Sequence, residues 1–522
     1  MITTSTPLPD WLVIAPVLLC LVGAALLLVL RRAAGAWFAV IVVAAVIACD
    51  AALFARVLAD GPVSMTMGRW LPPFGISFTA DVMGAGFALA AAAVTLVVLF
   101  YIQMDEEGRD GRGGLHALIL LLLAGVSGAF LTGDFFNLYV WFEVMLIASF
   151  GLLVIAGRPI QIEAAIKYGF LNFLATSLFL LALGLLYGLI GTLNMADIIV
   201  SAPKANAAVL ASVAGLFLLA FATKAAAFPV NVWLPASYHA PPPAISALFA
   251  GLLTKVGAYA LLRTFVALLP GARDILDPVI ALVAIPTLLI APLGAIAETN
   301  LRRAIGYFVI GGIGAVVAGL ALPTAEGVAG AAAYVFHAML TMTALYLVAG
   351  LVEKATGETD TRRMGGLYAA SAPLSILFLV LVFAAAGTPP FLGFWPKLLL
   401  LGAGAERAGL NGAGATDWWA VALVAALLLN AFLTLIAGTR LWAHVFWRQG
   451  HEGAHSEEEN PQLRALAGPE RWLGLVPTGI LVAVIVLAGL WPDLIFRSAL
   501  EAAHGLLDPQ GYVAAFGLEG AP

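Results

Sequence analysis

The chain is a succession of about fourteen apolar stretches, each near the ~20 residues that cross a hydrocarbon core, separated by short polar turns. A bilayer offers backbone N–H and C=O groups no water, so stretches of this kind cross it as helices that satisfy their own hydrogen bonds. The predicted fold class is therefore an all-α polytopic membrane protein. Composition agrees: with 62% hydrophobic residues, 11% charged residues and a mean hydropathy of +1.02, 522 residues cannot cover a soluble globule with polar surface. The spans are placed at 11–30, 34–58, 77–102, 115–132, 134–156, 164–190, 207–228, 244–268, 275–297, 302–322, 327–352, 373–400, 417–446 and 472–495.

The first run has no Lys or Arg before it and Arg31-Arg32 after it, the wrong polarity for a cleavable signal peptide. It is expected to remain as a helix with its N-terminus outside, and an even number of spans puts both termini there. Loops on the inner side then gather Arg158, Arg302, Arg303, Arg362, Arg363, Arg448 and other basic residues. The outer loops and helix ends hold fewer, among them Arg56, Arg69, Arg263, Arg273 and Arg407. Cys20 and Cys49 fall inside apolar runs and read as small buried residues, not as a disulfide or metal site. The net charge of −5 points to no partner, and no basic cluster suggests nucleic acid.

Against this background Glu143, Lys224, Lys255 and Lys397 each interrupt an apolar run. A charge at the centre of a membrane helix costs roughly 2.5–3.5 kcal/mol on insertion scales, so such residues face a bundle interior or a wet cavity and carry ions or protons. Burial brings the lysines and the glutamate closer to proton exchange near neutral pH. Glu143 needs a cationic partner, and Lys224 is the natural candidate; Lys255 is the next station, and Lys397 serves the second half of the chain. His337 is placed as a bridge between the halves, with water completing the path. Structural readings stand beside these: ion pairs or snorkelling for the lysines, and a satisfied core histidine for His337. Glu163 and Lys167 are read as loop charges in the first turn of the sixth helix, Asp134 as an N-cap, and His239 as lining an inner loop or entry.

Two spans carry helix breaks beside a lysine. In the seventh, Lys224-Ala-Ala-Ala-Phe-Pro229 leads into Trp233-Leu-Pro235; in the twelfth, Gly387-Thr-Pro389-Pro390 precedes Trp395-Pro396-Lys397. If spans 4–8 and 9–13 are five-helix repeats, each break falls in the fourth helix, the pattern of an inverted-repeat transporter. The expected organisation is 1–112 (helices 1–3), 113–272 (first repeat), 273–448 (second repeat) and 449–522 (inner loop, helix 14 and tail). His451-Glu452-Gly-Ala-His455 matches a zinc-protease pattern. It sits in a polar loop with Gly453 and runs into Ser456-Glu-Glu-Glu, so an irregular acidic loop is expected, with no metal site. No nucleotide, haem or cluster motif appears, and no cofactor is expected.

Several segments together resemble a known family: Thr132-Gly-Asp-Phe-Phe-Asn-Leu-Tyr-Val-Trp-Phe-Glu143, Ala222-Thr-Lys224 with Trp233-Leu-Pro235, Leu253-Thr-Lys255-Val-Gly, Asn300-Leu-Arg-Arg-Ala-Ile-Gly-Tyr307, and Gly387-Thr-Pro-Pro with Gly393-Phe-Trp-Pro-Lys397. They are similar to the proton-translocating, antiporter-like membrane subunits of respiratory complex I, membrane-bound hydrogenases and Mrp-type multisubunit cation/proton antiporters. Within these, the D-type branch of the Mrp antiporters is the nearest match. The resemblance implies fourteen helices with two inverted five-helix repeats. It also implies a polar line across the membrane formed by Glu143, Lys224, Lys255 and Lys397. Met342 stands where family members usually have lysine, so the central relay would fall to His337 and water. Only Phe496 to Pro522 follows the last span, too little for the long lateral helix of some complex I relatives.

The implied function is a proton-translocating subunit of a bacterial inner-membrane antiporter. Working with partner subunits, it would exchange inward protons for outward sodium or another monovalent cation. The rivals are a proton-pumping subunit of a redox complex and a non-conducting scaffold, to which Met342 lends weight.

Overall fold

A computed structural model describes residues 7–29, 32–70, 74–104, 114–410, 416–448 and 463–517. Among them eleven helices are long and apolar enough to cross a bilayer, and Ala15–Val29, Leu115–Phe130 and Ala372–Ala386 are shorter apolar helices. They follow the predicted order. The first six are α1 (Ala15–Val29), α2 (Arg32–Asp60), α3 (Val82–Ile102), α4 (Leu115–Phe130), α5 (Phe135–Leu153) and α6 (Pro159–Ile190). The seventh span is divided into α7 (Ala207–Ala225) and α8 (Trp233–Tyr238). Then come α9 (Pro243–Leu262), α10 (Pro270–Ala297), α11 (Leu301–Leu320) and α12 (Ala325–Thr356). The twelfth span is α13 (Ala372–Ala386) and α14 (Phe394–Arg407), followed by α15 (Trp418–Trp442) and α16 (Val476–Leu490). Beyond the spans lie α17 (Asp493–Leu507) and the short α18 (Gln510–Ala514).

Polar residues mark where helices begin. Asp81, Asp134, Asn206, Asn300, Thr324 and Asp417 each accept a first-turn backbone N–H with the side chain, satisfying donors that a helix start otherwise leaves open. The N-cap reading of Asp134 holds. The sixth helix starts at Pro159, earlier than 164, because proline suits a first helical position. Glu163 and Lys167 consequently lie in its second and third turns, as an exposed i,i+4 ion pair at 2.5 Å; their reading as surface charges stands and their first-turn placement does not. A two-stranded antiparallel hairpin, β1 (Val63–Thr66) and β2 (Ser77–Ala80), joins α2 to α3 with Val63 opposite Ala80.

α9 and α12 form the centre. Every residue of α9 after Pro243 is buried, and α12 is buried almost throughout. The two pack on each other, with α7, α11 and α3 around α9 and with α11, α14 and α17 around α12. The periphery instead turns apolar side chains outward, among them Val22, Ile41, Phe170, Leu181, Leu282 and Leu428, as lipid contact requires. Where α9 crosses the end of α7, Gly257 has no room for a side chain: a Cβ there would lie 2.7 Å from the Ala225 nitrogen. That contact brings the backbones carrying Lys224 and Lys255 together.

Candidate functional site

The first break begins at Ala226, whose left-handed φ of +63° ends α7. The Ala226 and Ala227 N–H groups fold back onto the carbonyls of Thr223 and Ala222 at 3.1 and 2.8 Å, a helix-ending pattern that glycine usually supplies. A non-glycine residue there stores strain of about 1 kcal/mol or more, and such strain gathers at functional sites. The Trp233 indole N–H closes the break by donating to the Thr223 carbonyl at 3.0 Å. The Phe228 N–H donates to Thr287 Oγ1 of α10 at 3.0 Å, and that hydroxyl donates to the Val283 carbonyl. Thr287→Val is therefore expected to leave the Phe228 N–H without an acceptor, costing about 1–3 kcal/mol. A lower midpoint of thermal unfolding in detergent would show it.

Lys224 lies in the last turn of α7, 5% exposed. Its Nζ is 5.6 Å from the Phe142 ring centroid, and the charge acting on it is that of Glu143, next to Phe142 on α5. The expected pairing is thus one of proximity: the two groups are electrostatically coupled without closing an ion pair, and Glu143 is only half-buried. Lys255, 1% exposed, donates to the Ala250 carbonyl at 2.5 Å and to Thr254 Oγ1 at 3.2 Å. It has backbone and hydroxyl partners where a structural ion pair would have a carboxylate.

His337 is fully buried on α12, and the charges acting on it are Lys397 and Lys255. Its Nδ1 lies 3.1 Å from Thr341 Oγ1, and its Nε2 has no protein partner among the described residues. The second break presses on it: a Cβ at Gly393 would stand 2.8 Å from His337 Nε2 and 1.9 Å from the Ala384 carbonyl oxygen. Met342 is buried on the same helix, with Thr341 and Thr343 beside it in sequence.

Lys397 extends from α14 back across the second break. Its Nζ donates to the Ala386 carbonyl at 2.7 Å, to that of Ala385 at 3.4 Å and to Asn430 Oδ1 at 3.4 Å. The last carbonyls of a helix lack partners and carry its negative end, so an ammonium there is held by both hydrogen bonds and dipole. The prolines of the breaks are where the sequence put them, Pro229 between α7 and α8 and Pro389-Pro390 between α13 and α14. The lysines approach the breaks from opposite sides, Lys224 from the half-helix before and Lys397 from the half-helix after.

Polar cavities open at opposite faces. One, of 530 Å³, lies on the face carrying the basic loops and is lined by Arg158, Pro243, Arg302, Glu353, Lys354 and Glu470 among others. From it polar contacts climb between α9 and α12 toward Lys255: Arg302 donates to Ser246 Oγ at 3.4 Å, the Tyr346 hydroxyl to the Arg302 carbonyl, and Thr343 Oγ1 to the Ala247 carbonyl at 3.3 Å. His239, at the edge of this region, donates its Nδ1–H to the Pro235 carbonyl at 2.9 Å. Burial, with Arg303, Arg302 and Lys167 nearby, holds its imidazole below the usual range, hence neutral at pH 7. The other cavity, of 380 Å³, opens at the far face between Asp274, Asp277, Thr324, Glu406 and Arg407.

Several buried polar residues were not singled out from the sequence. Asn430, which orients Lys397 and donates to the Leu288 carbonyl at 2.8 Å, is a lone amide in an apolar run and was open to the same logic as the lysines. So was Asp50 of α2, fully buried with both carboxyl oxygens unpartnered among the described residues. Arg263, expected at an outer helix end, is instead 2% exposed and paired with Asp81. The His451–His455 motif lies outside the described residues, and among these no group of His, Cys, Asp and Glu is placed to hold a metal.

Comparison with known proteins bears on this site. The family described as NADH:quinone oxidoreductase/Mrp antiporter, TM matches residues 132–427, which contain both breaks, Glu143, His337 and the three lysines. The D subunit of the Na(+)/H(+) antiporter of Alkalihalophilus pseudofirmus is 36% identical over 456 residues, 87% of this chain and 88% of that protein. Its counterpart of the same name in Bacillus subtilis is 34% identical over 89% of this chain and 90% of its own length. Among solved structures, a chain of the Mrp complex from Dietzia sp. superposes with a TM-score of 0.89 at 27% identity, covering 98% of this chain and all of that one. A chain of an archaeal membrane-bound sulfane sulfur reductase reaches 0.84 at 26% identity over 97% of this chain and 99% of that one.

Proposed function

This chain belongs to the NADH:quinone oxidoreductase/Mrp antiporter family of membrane subunits, and from that premise we propose that it is the proton-translocating D-type subunit of a multisubunit Na+/H+ antiporter. The observation that carries the reading is the line Glu143, Lys224, Lys255, His337, Lys397. It threads two broken helices in a chain similar to antiporter D subunits over most of its length. In this reading Glu143 holds Lys224 protonated until the pair separates, Lys224 passes its proton toward Lys255, and His337 links Lys255 to Lys397. Residues 113–272 and 273–448 act as inverted repeats. The basic-loop cavity serves the inner side of a bacterial plasma membrane, and both termini face outside. The Ser246, Tyr346 and Thr343 contacts support inner access to Lys255, because hydroxyls with bound water make a proton path where side chains alone do not meet.

The likeness to a chain of a sulfane sulfur reductase favours one second reading, a proton-pumping role in a redox complex. Inverted vesicles carrying the whole native operon separate the two. Sodium is expected to collapse a preformed pH gradient only when this chain is present. Proton movement that follows electron donors and ignores sodium would move the chain to the redox class. Exchange that survives neutralising Glu143, Lys224, Lys255 and Lys397 together would leave it a scaffold.

A further inference from the structure

Lys255 begins a stripe on α9. Tyr259 and Arg263 follow it at i+4 and i+8, one above the other and reaching roughly 12 Å toward the face opposite the basic loops. The stripe ends in a cluster that the proton path does not use. Arg263 Nη2 pairs with Asp81 Oδ2 and donates to the Tyr259 hydroxyl at 3.3 Å. The Tyr259 hydroxyl in turn donates to the Phe130 carbonyl at 3.0 Å, so its proton is committed. Asp81 is fixed from the other side, since its Oδ1 accepts the Gly84 N–H at 2.8 Å. Two rings hold the guanidinium, with centroids 5.3 Å away for Tyr259 and 5.1 Å for Tyr512. Tyr512 comes from α18, which returns from beyond the last span to cover this end. The Ser64 hydroxyl anchors the same segment by donating to the Ala515 carbonyl at 2.6 Å. From Arg263 to Leu268 the helix widens into a π-turn, a form that recurs at functional sites.

We propose that Arg263, locked by Asp81 and ringed by Tyr259 and Tyr512, is a plug that closes the outer end of the Lys255 path. A guanidinium keeps its proton at every physiological pH, so one fixed in a narrow, desolvated passage neither accepts a proton nor passes one on, and its pair with Asp81 holds it there. A proton on Lys255 then leaves sideways toward His337 or inward toward the basic-loop cavity, never straight out. Arg263 and Asp81 are positioning residues in this scheme. It rests on the reading of Lys255 as a proton station.

The test is passive proton leak, measured as decay of an imposed pH gradient in vesicles carrying the complete complex without sodium. The pair is replaced together, Asp81→Asn with Arg263→Gln, so that no buried charge is left alone. Leak is expected to rise at least threefold at equal subunit abundance and to return to the parental rate when Lys255→Ala is added. Arg263→Lys, which restores a cation, should leak less than the double variant. If the double variant fails to accumulate, Tyr512→Ala carries the same test from outside the spans, with a rise of about twofold. An unchanged leak, or one that persists without Lys255, overturns the plug. The antiporter reading is judged separately by sodium-driven exchange in the parent: a plug variant leaking through Lys255 in a complex without exchange keeps the plug and removes the antiporter.

Discussion

Vesicles whose complex carries Lys224→Ala are expected to show no sodium-driven proton movement above that of vesicles lacking the chain, at parental subunit abundance. The ammonium of Lys224 is the cation beside Glu143 in this arrangement, and without it the proposed first transfer step has no carrier. Assembly survives because of the way the pair is built. Breaking a closed, fully buried ion pair costs about 3–5 kcal/mol, since the remaining charge is stranded. Here Glu143 is half-buried and the pair is open, so less attraction is lost than in a closed, fully buried pair and the penalty is smaller. Lys224→Met, which keeps much of the volume packed against Phe142, should accumulate better than the alanine variant and transport no more. Glu143→Ala should fail in the same assay. Full exchange in either charge variant would remove these two residues from the mechanism.

The second large effect is expected at Gly393→Ala. The added methyl would sit 1.9 Å from the Ala384 carbonyl oxygen, a backbone atom that no rotamer change can move aside, and 2.8 Å from His337 Nε2. Overpacking of this kind costs about 1–3 kcal/mol where side chains can yield, and a clash with backbone belongs at or above the top of that range. The subunit is expected to fall severalfold in abundance, with a lower thermal midpoint in detergent. The fraction that assembles should transport poorly, because relief of the clash pushes the second break away from His337. A Gly393→Ala protein with parental stability and exchange would mean that the break is loose and that its contact with His337 does not matter.

The spans, both breaks and the three lysines were legible because each is a local departure from an apolar pattern: a charge, or a Pro-Pro or Phe-Pro step, inside a run that ought to have neither. Span limits were read less well. The twelfth was drawn as 373–400, whereas its second half-helix runs on to Arg407, since hydropathy senses apolar character and the helix continues past the end of the apolar run. Arg263 was placed with surface charges because its partner Asp81 lies 182 residues away and only the fold brings the two together. The spacing of Glu143 and Lys224 was missed for a related reason. Membership of neighbouring helices is visible in the chain, but the gap between side chains depends on Phe142, which takes the nearer place. Asp50 obeyed the rule that found Glu143, yet it stands beside Cys49 in a run of α2 with no proline and no neighbouring charge to draw the eye.

Two adjacent residues of α10 acquire a meaning that neither break has alone. Thr287 receives the Phe228 N–H of the first break, and the carbonyl of Leu288 receives Asn430, which holds Lys397 at the second. A displacement of α10 by even one residue's rise, about 1.5 Å, would loosen both attachments at once. The two breaks are thus fastened to one helix, and anything that shifts it is felt at both.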